Sequence, residues 1–369
     1  MFDELFSFLA HERSDVRKAA TQALAQISRD NDDLVRYVCA TEAAPSQLVA
    51  LLSLERFAPS LGDVLSCLVN LAAHAAAADT LVAAKIVSRV MRLLDQLDRA
   101  TPGTAEGAMG PAATGAFKEL SLMLLSNLTA ASVVAAHEVM QAQDEDMKGF
   151  YVSKLKTMMD HVADAPLPDD AAAAASPSRA AADDAPRAQP QPRHIRKWYL
   201  QVVLNLTRTP QGQRVVCDDD DWLDFLVAAV RGTDGGDAAD ASHTLCRLRC
   251  AQTLGNCAAG GSVKDSALLQ RLTQKGVCGA CVQCLHDSPD PRHAELQEAA
   301  AGILVALIGS TEGCQAMEAL NAKALLSQAI ASGNLNADVC FTLRDRVLPF
   351  LDEVHDVYVV HGDEGAAAA

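Results

Sequence analysis

Apolar residues return at three- and four-residue steps almost from the start of the chain. Val16, Ala19, Ala20, Ala23, Leu24 and Ile27 form one stripe on a 3.6-residue period, which predicts an amphipathic helix. Ser14 stands where a side-chain oxygen can cap that helix. The pattern breaks in Arg29-Asp30-Asn31-Asp32-Asp33, which reads as a loop. A second apolar helix is expected after Pro45, through Leu48, Leu51 and Leu52.

The end of the first helix, Ala23-Leu24-Ala25-Gln26-Ile27-Ser28, comes back along the chain. Its echoes are Cys67-Leu68-Val69-Asn70-Leu71-Ala72, Leu124-Leu125-Ser126-Asn127-Leu128-Thr129, Val202-Val203-Leu204-Asn205-Leu206-Thr207 and Thr253-Leu254-Gly255-Asn256-Cys257-Ala258. A sixth, Ile303-Leu304-Val305-Ala306-Leu307-Ile308, lacks the amide. From Gln26 the separations are 44, 57, 78, 51 and 50 residues. Three gaps hold stretches of insertion-like composition, at Asp98 to Gly115, Val162 to His194 and Gly232 to Ser242. Without those 18, 33 and 11 residues the three gaps become 39, 45 and 40. These lengths approach the roughly 40–47 residues of an armadillo or HEAT unit.

A second echo runs from Thr209-Pro210-Gln211-Gly212-Gln213 to Ser310-Thr311-Glu312-Gly313-Cys314, each following an anchor at the same distance. One helix pair cannot bury its apolar face alone, so stacked neighbours must complete the core. The expected fold is all-α, an armadillo/HEAT-like right-handed superhelical solenoid of about six repeats. Repeats are expected over residues 1–161 and 195–360, with a disordered Ala/Pro/Asp-rich linker at 162–194 and a disordered tail at 361–369.

Composition agrees with helices. Half the chain is hydrophobic but only 4% is aromatic, and alanine, the best helix former, is abundant. A net charge of -16 disfavours nucleic acid as a partner. The acidic opening Met1-Phe2-Asp3-Glu4-Leu5-Phe6 does not resemble a secretory signal, and Val64 to Val87 is interrupted by Asn70, His74, Asp79 and Lys85, so no membrane span is expected. Eleven scattered cysteines suit reduced thiols. The expectation is a soluble monomer of the cytoplasm or nucleus.

Asn70, Asn127, Asn205 and Asn256 are the candidate binding residues. In armadillo proteins an asparagine near this point of the third helix can hydrogen-bond an extended peptide; the alternative is that each amide ties its helix to the neighbouring repeat. The tryptophan that peptide-signal receptors carry one turn earlier is replaced by Ser66, Met123, Gln201 and Gln252, which disfavours a nuclear-import groove. Arg196 and Trp198 form a further candidate hot spot, although Trp198 or Tyr199 is expected in the core. Cys278, Cys281 and Cys284 resemble a metal signature, but Cys284 is rotated off the face shared by the other two. Core packing is favoured over a metal centre, so no metal or other cofactor is assigned. Asp218-Asp219-Asp220-Asp221 suits a helix start. No phosphate loop, nucleophile elbow or His-Glu-x-x-His pair is present, and no catalytic residue is assigned.

The order of Leu124-Leu125-Ser126-Asn127-Leu128, Val203-Leu204-Asn205-Leu206-Thr207 and Gln252-Thr253-Leu254-Gly255-Asn256-Cys257 resembles the Hgh-type armadillo-like proteins, chaperones for translation elongation factor 2. Leu307-Ile308-Gly309-Ser310-Thr311-Glu312-Gly313 and a final helix from Asp338 to Leu351 resemble that family's closing repeat. Gly255 stands where the family has arginine, and the Val162 to His194 insertion is foreign to its pattern. The resemblance implies a non-enzymatic chaperone or cochaperone for elongation factor 2, acting with ring-shaped and heat-shock chaperones. Alternative readings are another armadillo adaptor, such as a nucleotide-exchange cochaperone of heat-shock protein 70 or a scaffold, and, remotely, a cysteine-ligated metal protein.

Overall fold

The computed structural model describes residues 2–54, 60–99, 111–163, 195–233, 241–260, 266–287 and 293–352. Everything described is helix or short connection. The expected linker 162–194 lies outside the described residues apart from Val162 and Ala163, as does the tail 361–369.

Phe2–Leu9 (α1) and Ser14–Ile27 (α2) open the chain, and helices then recur in threes. The first triplet is Asp32–Ala40 (α3), Ala43–Ala50 (α4) and Leu61–Ala72 (α5). The second is Ala75–Ala83 (α6), Ile86–Arg99 (α7) and Pro111–Ala131 (α8), and the third is Val133–Met140 (α9), Phe150–Ala163 (α10) and Arg196–Leu206 (α11). The fourth follows as Pro210–Asp218 (α12), Asp220–Arg231 (α13) and Ala241–Gly260 (α14). The fifth is Ser266–Gln274 (α15), Val277–Asp287 (α16) and Ala294–Leu307 (α17). The sixth is Thr311–Ala319 (α18), Ala322–Ala331 (α19) and Ala337–Thr342 (α20), the last running on through a π-helical turn at Leu343–Val347. Each triplet begins with a helix of eight or nine residues. The three predicted insertions all fall between a second and a third helix; 98–115 overlaps the helices on both sides, 162–194 only the end of α10 and 232–242 only the start of α14.

Three local readings are corrected. Ser14 is the first residue inside α2 and caps nothing; Arg13 precedes it, and Arg17 Nη1 donates to the carbonyls of His11 and Glu12, each at 2.7 Å. Asp32 and Asp33 open α3 instead of lying in a loop. Asp30 turns the chain with φ +50°, and the Asn31 side chain accepts from Leu34 N at 3.0 Å, so the two acids meet the positive end of a helix. Pro45 lies within the first turn of α4, where its missing N–H is not needed.

The chain divides into two compact units, Met1–Asn127 with Lys154–Tyr199, and Leu128–Ser153 with Leu200–Ala369. In the first, α2 packs on α5 and α3 on α6, so a helix meets its counterpart one triplet away. In the second, first helices meet first (α9 on α12, α12 on α15, α15 on α18), second meet second (α13 on α16, α16 on α19) and third meet third (α14 on α17, α17 on α20). Leucine, valine and alanine fill these contacts. Trp222 is fully buried and donates from Nε1 to Val152 O at 2.8 Å, so its polar edge is satisfied inside the core. No single helix among the described residues is long and apolar enough to cross a membrane.

The second echo has a structural cause. Thr209 and Ser310 cap α12 and α18 by accepting from Gly212 N and Gly313 N, each at 3.1 Å. A Cβ added at either glycine would lie 2.0 Å from a backbone oxygen, of Leu206 or Leu307. The next residue closes both turns alike: Gln213 Nε2 donates to Thr207 O at 3.0 Å, and Cys314 Sγ to Ile308 O at 3.0 Å.

Candidate functional site

A stripe follows each third helix at positions seven and four before the anchor and at the anchor itself, the spacing that keeps side chains on one helical face. In the first unit Ser66 and Asn70, then Met123 and Asn127, stand half-buried along it. In the second unit Gln201 and Asn205, then Arg249, Gln252 and Asn256, occupy the same places, all half-buried except Asn205, which is 2% exposed.

Each anchor amide is committed to the third helix before its own. Asn70 Nδ2 donates to Ser28 Oγ at 2.9 Å, Asn205 Nδ2 to Thr129 Oγ1 at 3.2 Å and Asn256 Nδ2 to Thr207 Oγ1 at 3.2 Å. The hydroxyl always lies two residues past the preceding anchor. Where that place holds Ala72, Asn127 Nδ2 turns to the backbone oxygen of Val69, at 2.9 Å. Where it holds Ala258, the next anchor is Ala306 and carries no amide. Sequence reasoning found the amides and missed these hydroxyls, although Leu128-Thr129 and Leu206-Thr207 directly follow two anchors. The amides therefore fasten neighbouring triplets. Asn205 Oδ1 accepts from Gln201 Nε2 at 3.0 Å, so this amide is held at both ends.

Arg196 and Trp198 lie in the first unit, half-buried on the first turn of α11. Trp198 Nε1 donates to Glu119 Oε1 at 3.3 Å, and Lys197 Nζ stands 5.3 Å from the Trp198 ring centre, a cation–π contact. Tyr199 is the core aromatic of the pair and is fully buried, with its hydroxyl lacking a hydrogen-bond partner among the described residues. Burial first, and the negative charge of Asp98 second, hold its phenol well above the ordinary value. Asp98, at 9% side-chain exposure, accepts from Lys118 Nζ at 2.9 Å and contacts His161 Nδ1 at 2.7 Å.

Cys278, Cys281 and Cys284 are buried on α16, the second helix of its triplet. Burial raises the first two thiols, Cys278 to about 11, so they hold their protons and behave as small apolar side chains. Among the described residues no three His, Cys, Asp or Glu side chains gather as a metal would require. The acidic run divides its work. Asp219 caps α13 through Trp222 N at 3.1 Å and accepts from Ser153 Oγ at 2.5 Å, while Asp220 pairs with Arg271 at 3.0 Å and Lys275 at 2.5 Å. Exposed apolar side chains also occur away from the stripe, as Val133, Val134 and Phe150, and as Phe341 and Phe350 in the last triplet.

Chemically, the stripe of the second unit offers the amides of Gln201, Gln252 and Asn256 and the guanidinium of Arg249, groups that can hold a chain by hydrogen bonds. No protein-family model matches this sequence, and no curated protein matches it. Two crystal structures of engineered proteins from the Northeast Structural Genomics Consortium are similar in fold. One has a TM-score of 0.53 at 16% identity, covering 83% of this chain and 97% of its own; the other has 0.54 at 15%, covering 83% and 95%. At that identity the likeness speaks to the fold alone, and this chain is an all-helical protein.

Proposed function

We propose that this chain is a non-enzymatic chaperone or cochaperone, built of armadillo/HEAT-like repeats, that assists the folding of translation elongation factor 2 in the cytoplasm. One observation carries the reading: within each unit the third helices from α5 to α14 end on an anchor asparagine whose nitrogen is fastened to the helix three before its own. Such fastening preorganises a row of side chains without nucleotide chemistry. The helix triplets and the order of the Asn127, Asn205 and Asn256 anchors support the Hgh-type resemblance, and that resemblance names the client. Ring-shaped and heat-shock chaperones are its expected companions.

The test is capture and refolding. Tagged full-length protein is expected to retain elongation factor 2 from a cytosolic extract under gentle washing, and to raise the yield of soluble elongation factor 2 diluted from denaturant. Failure of both would remove the reading. Faster nucleotide release from purified heat-shock protein 70, with no effect on elongation factor 2, would replace it with the exchange-factor alternative.

A further inference from the structure

Phe150 opens α10 with 46% of its surface exposed, and Met147, three residues earlier in the loop, is 37% exposed. Four contacts seat this stretch on the fourth triplet. Gln211 Nε2 donates to Ala142 O at 3.3 Å, and a Cβ on Gly149 would meet Val215 Cγ1 at 3.4 Å. Trp222 Nε1 donates to Val152 O at 2.8 Å, and Ser153 Oγ to Asp219 Oδ2 at 2.5 Å. Phe150 and Ser153 are three residues apart and share a helical face, so the exposed ring borders the acidic run that opens α13. Asp144, Glu145 and Asp146 precede Met147 in the loop. Residues 141–153 and 210–224 together carry eight acids and two bases, Lys148 and Arg214. From α15 and the residue after it, Arg271 and Lys275 pair with Asp220, and Lys275 also with Asp224. Asp144, Asp146, Asp218 and Asp221 are exposed and make no ion pair among the described residues. Asp218 is the last residue of α12, where a negative charge opposes the helix dipole, so its own helix does not account for it. The exposed Phe341 and Phe350 differ, because Arg344, Asp345 and Arg346 between them are of mixed sign.

We infer that Phe150 and Met147, with these unmatched carboxylates about them, receive a basic amphipathic segment of a protein partner. Its large apolar side chain packs on the phenylalanine ring and the flexible thioether, side chains that favour interfaces. Its lysines or arginines meet Asp144 and Asp146 from the loop, and Asp218 and Asp221 from the start of α13. Charge complementarity of this kind orients the partner and speeds its approach. The same carboxylates repel phosphate groups, which sets nucleic acid and anionic lipid aside. This surface lies at the starts of second helices, off the stripe of the third helices, and needs no property of that stripe.

Fluorescence anisotropy of the full chain with a labelled peptide of lysine and leucine tests this, with polylysine and a glutamate–leucine peptide of equal length as controls. Saturable binding of the lysine–leucine peptide is expected, weakened about fivefold in Phe150→Ser and about fivefold in the double variant Asp218→Asn with Asp221→Asn. Added salt should weaken it further, polylysine should bind more weakly, and the glutamate–leucine peptide should not bind. Phe341→Ser, an exposed phenylalanine in the last triplet, should leave binding unchanged. All the altered side chains are exposed, and Met147→Ser gives the same reading should Phe150→Ser lower the melting temperature. No saturable binding, or binding indifferent to Phe150→Ser and to the aspartate pair, overturns the proposal. Polylysine bound as tightly as the lysine–leucine peptide, or an equal loss in Phe341→Ser, overturns it as well.

Discussion

Asn205 Nδ2 donates to Thr129 Oγ1 at 3.2 Å, joining residues 76 positions apart in sequence. Asn205 is 2% exposed, so its amide gives up water for this bond and for the one to Gln201. A buried polar group is costly when left unpaired, and modestly favourable when paired. Asn205→Ala is therefore expected to destabilise the fold by about 1–3 kcal/mol. Thr129→Val combined with it should cost less than the two single changes added together. Urea denaturation of the four proteins measures the coupling; strict additivity would show that the bond does not fasten the helices.

Gly212 and Gly313 are expected to refuse alanine. A Cβ at either would stand 2.0 Å from a carbonyl oxygen of the preceding helix end, so the capped turn must open. Each change should cost about 1–3 kcal/mol, as overpacking does. Gly302 is the control, because a Cβ there meets nothing within 4 Å and the residue lies inside α17. Gly302→Ala is expected to stabilise by about 0.5–1 kcal/mol through helix propensity. Thermal melts of the three variants should move in these opposite directions.

Asp98 and Lys118 form a largely shielded pair at 2.9 Å, with side-chain exposures of 9% and 15%. Asp98→Asn strands the ammonium of Lys118 and is expected to cost about 3 kcal/mol. Replacing both residues by leucine should recover most of that loss, since a shielded ion pair contributes little over apolar packing. Chemical denaturation would decide, and a double variant no better than Asp98→Asn would show that the charges contribute more than their own compensation.

Buried thiols set an alkaline limit. Burial pushes Cys67 up to about 12 and Cys278 to about 11, against an ordinary value of 9.0. The unfolded chain sheds these protons from about pH 9 while the folded chain keeps them. Stability is thus fully present below pH 9 and falls as pH rises toward the folded values, by up to ~1.4 kcal/mol per thiol per pH unit. Native-state thiol titration at neutral pH should label the exposed Cys39 first and leave Cys67, Cys278 and Cys281 untouched until unfolding. Early labelling of Cys281 would contradict its burial.

Local chemistry made much of the architecture readable in the residues. The stripe from Val16 to Ile27, the recurring anchors, and the Thr209 and Ser310 caps with their glycines all act within a few residues, where helix period and capping depend only on neighbours. The same locality accounts for Asp32 and Asp33: the acidic run reads as loop, and the Asn31 cap makes it a helix start. What each anchor touches belongs to the tertiary structure. Asn70, Asn127, Asn205 and Asn256 reach partners 42, 58, 76 and 49 residues away, and those separations vary with the inserted segments. Only stacking could show that their nitrogens bond the helix three before their own. Periodicity specifies which face of a helix is apolar; the packing of one triplet on the next decides which polar groups on the other faces find a partner.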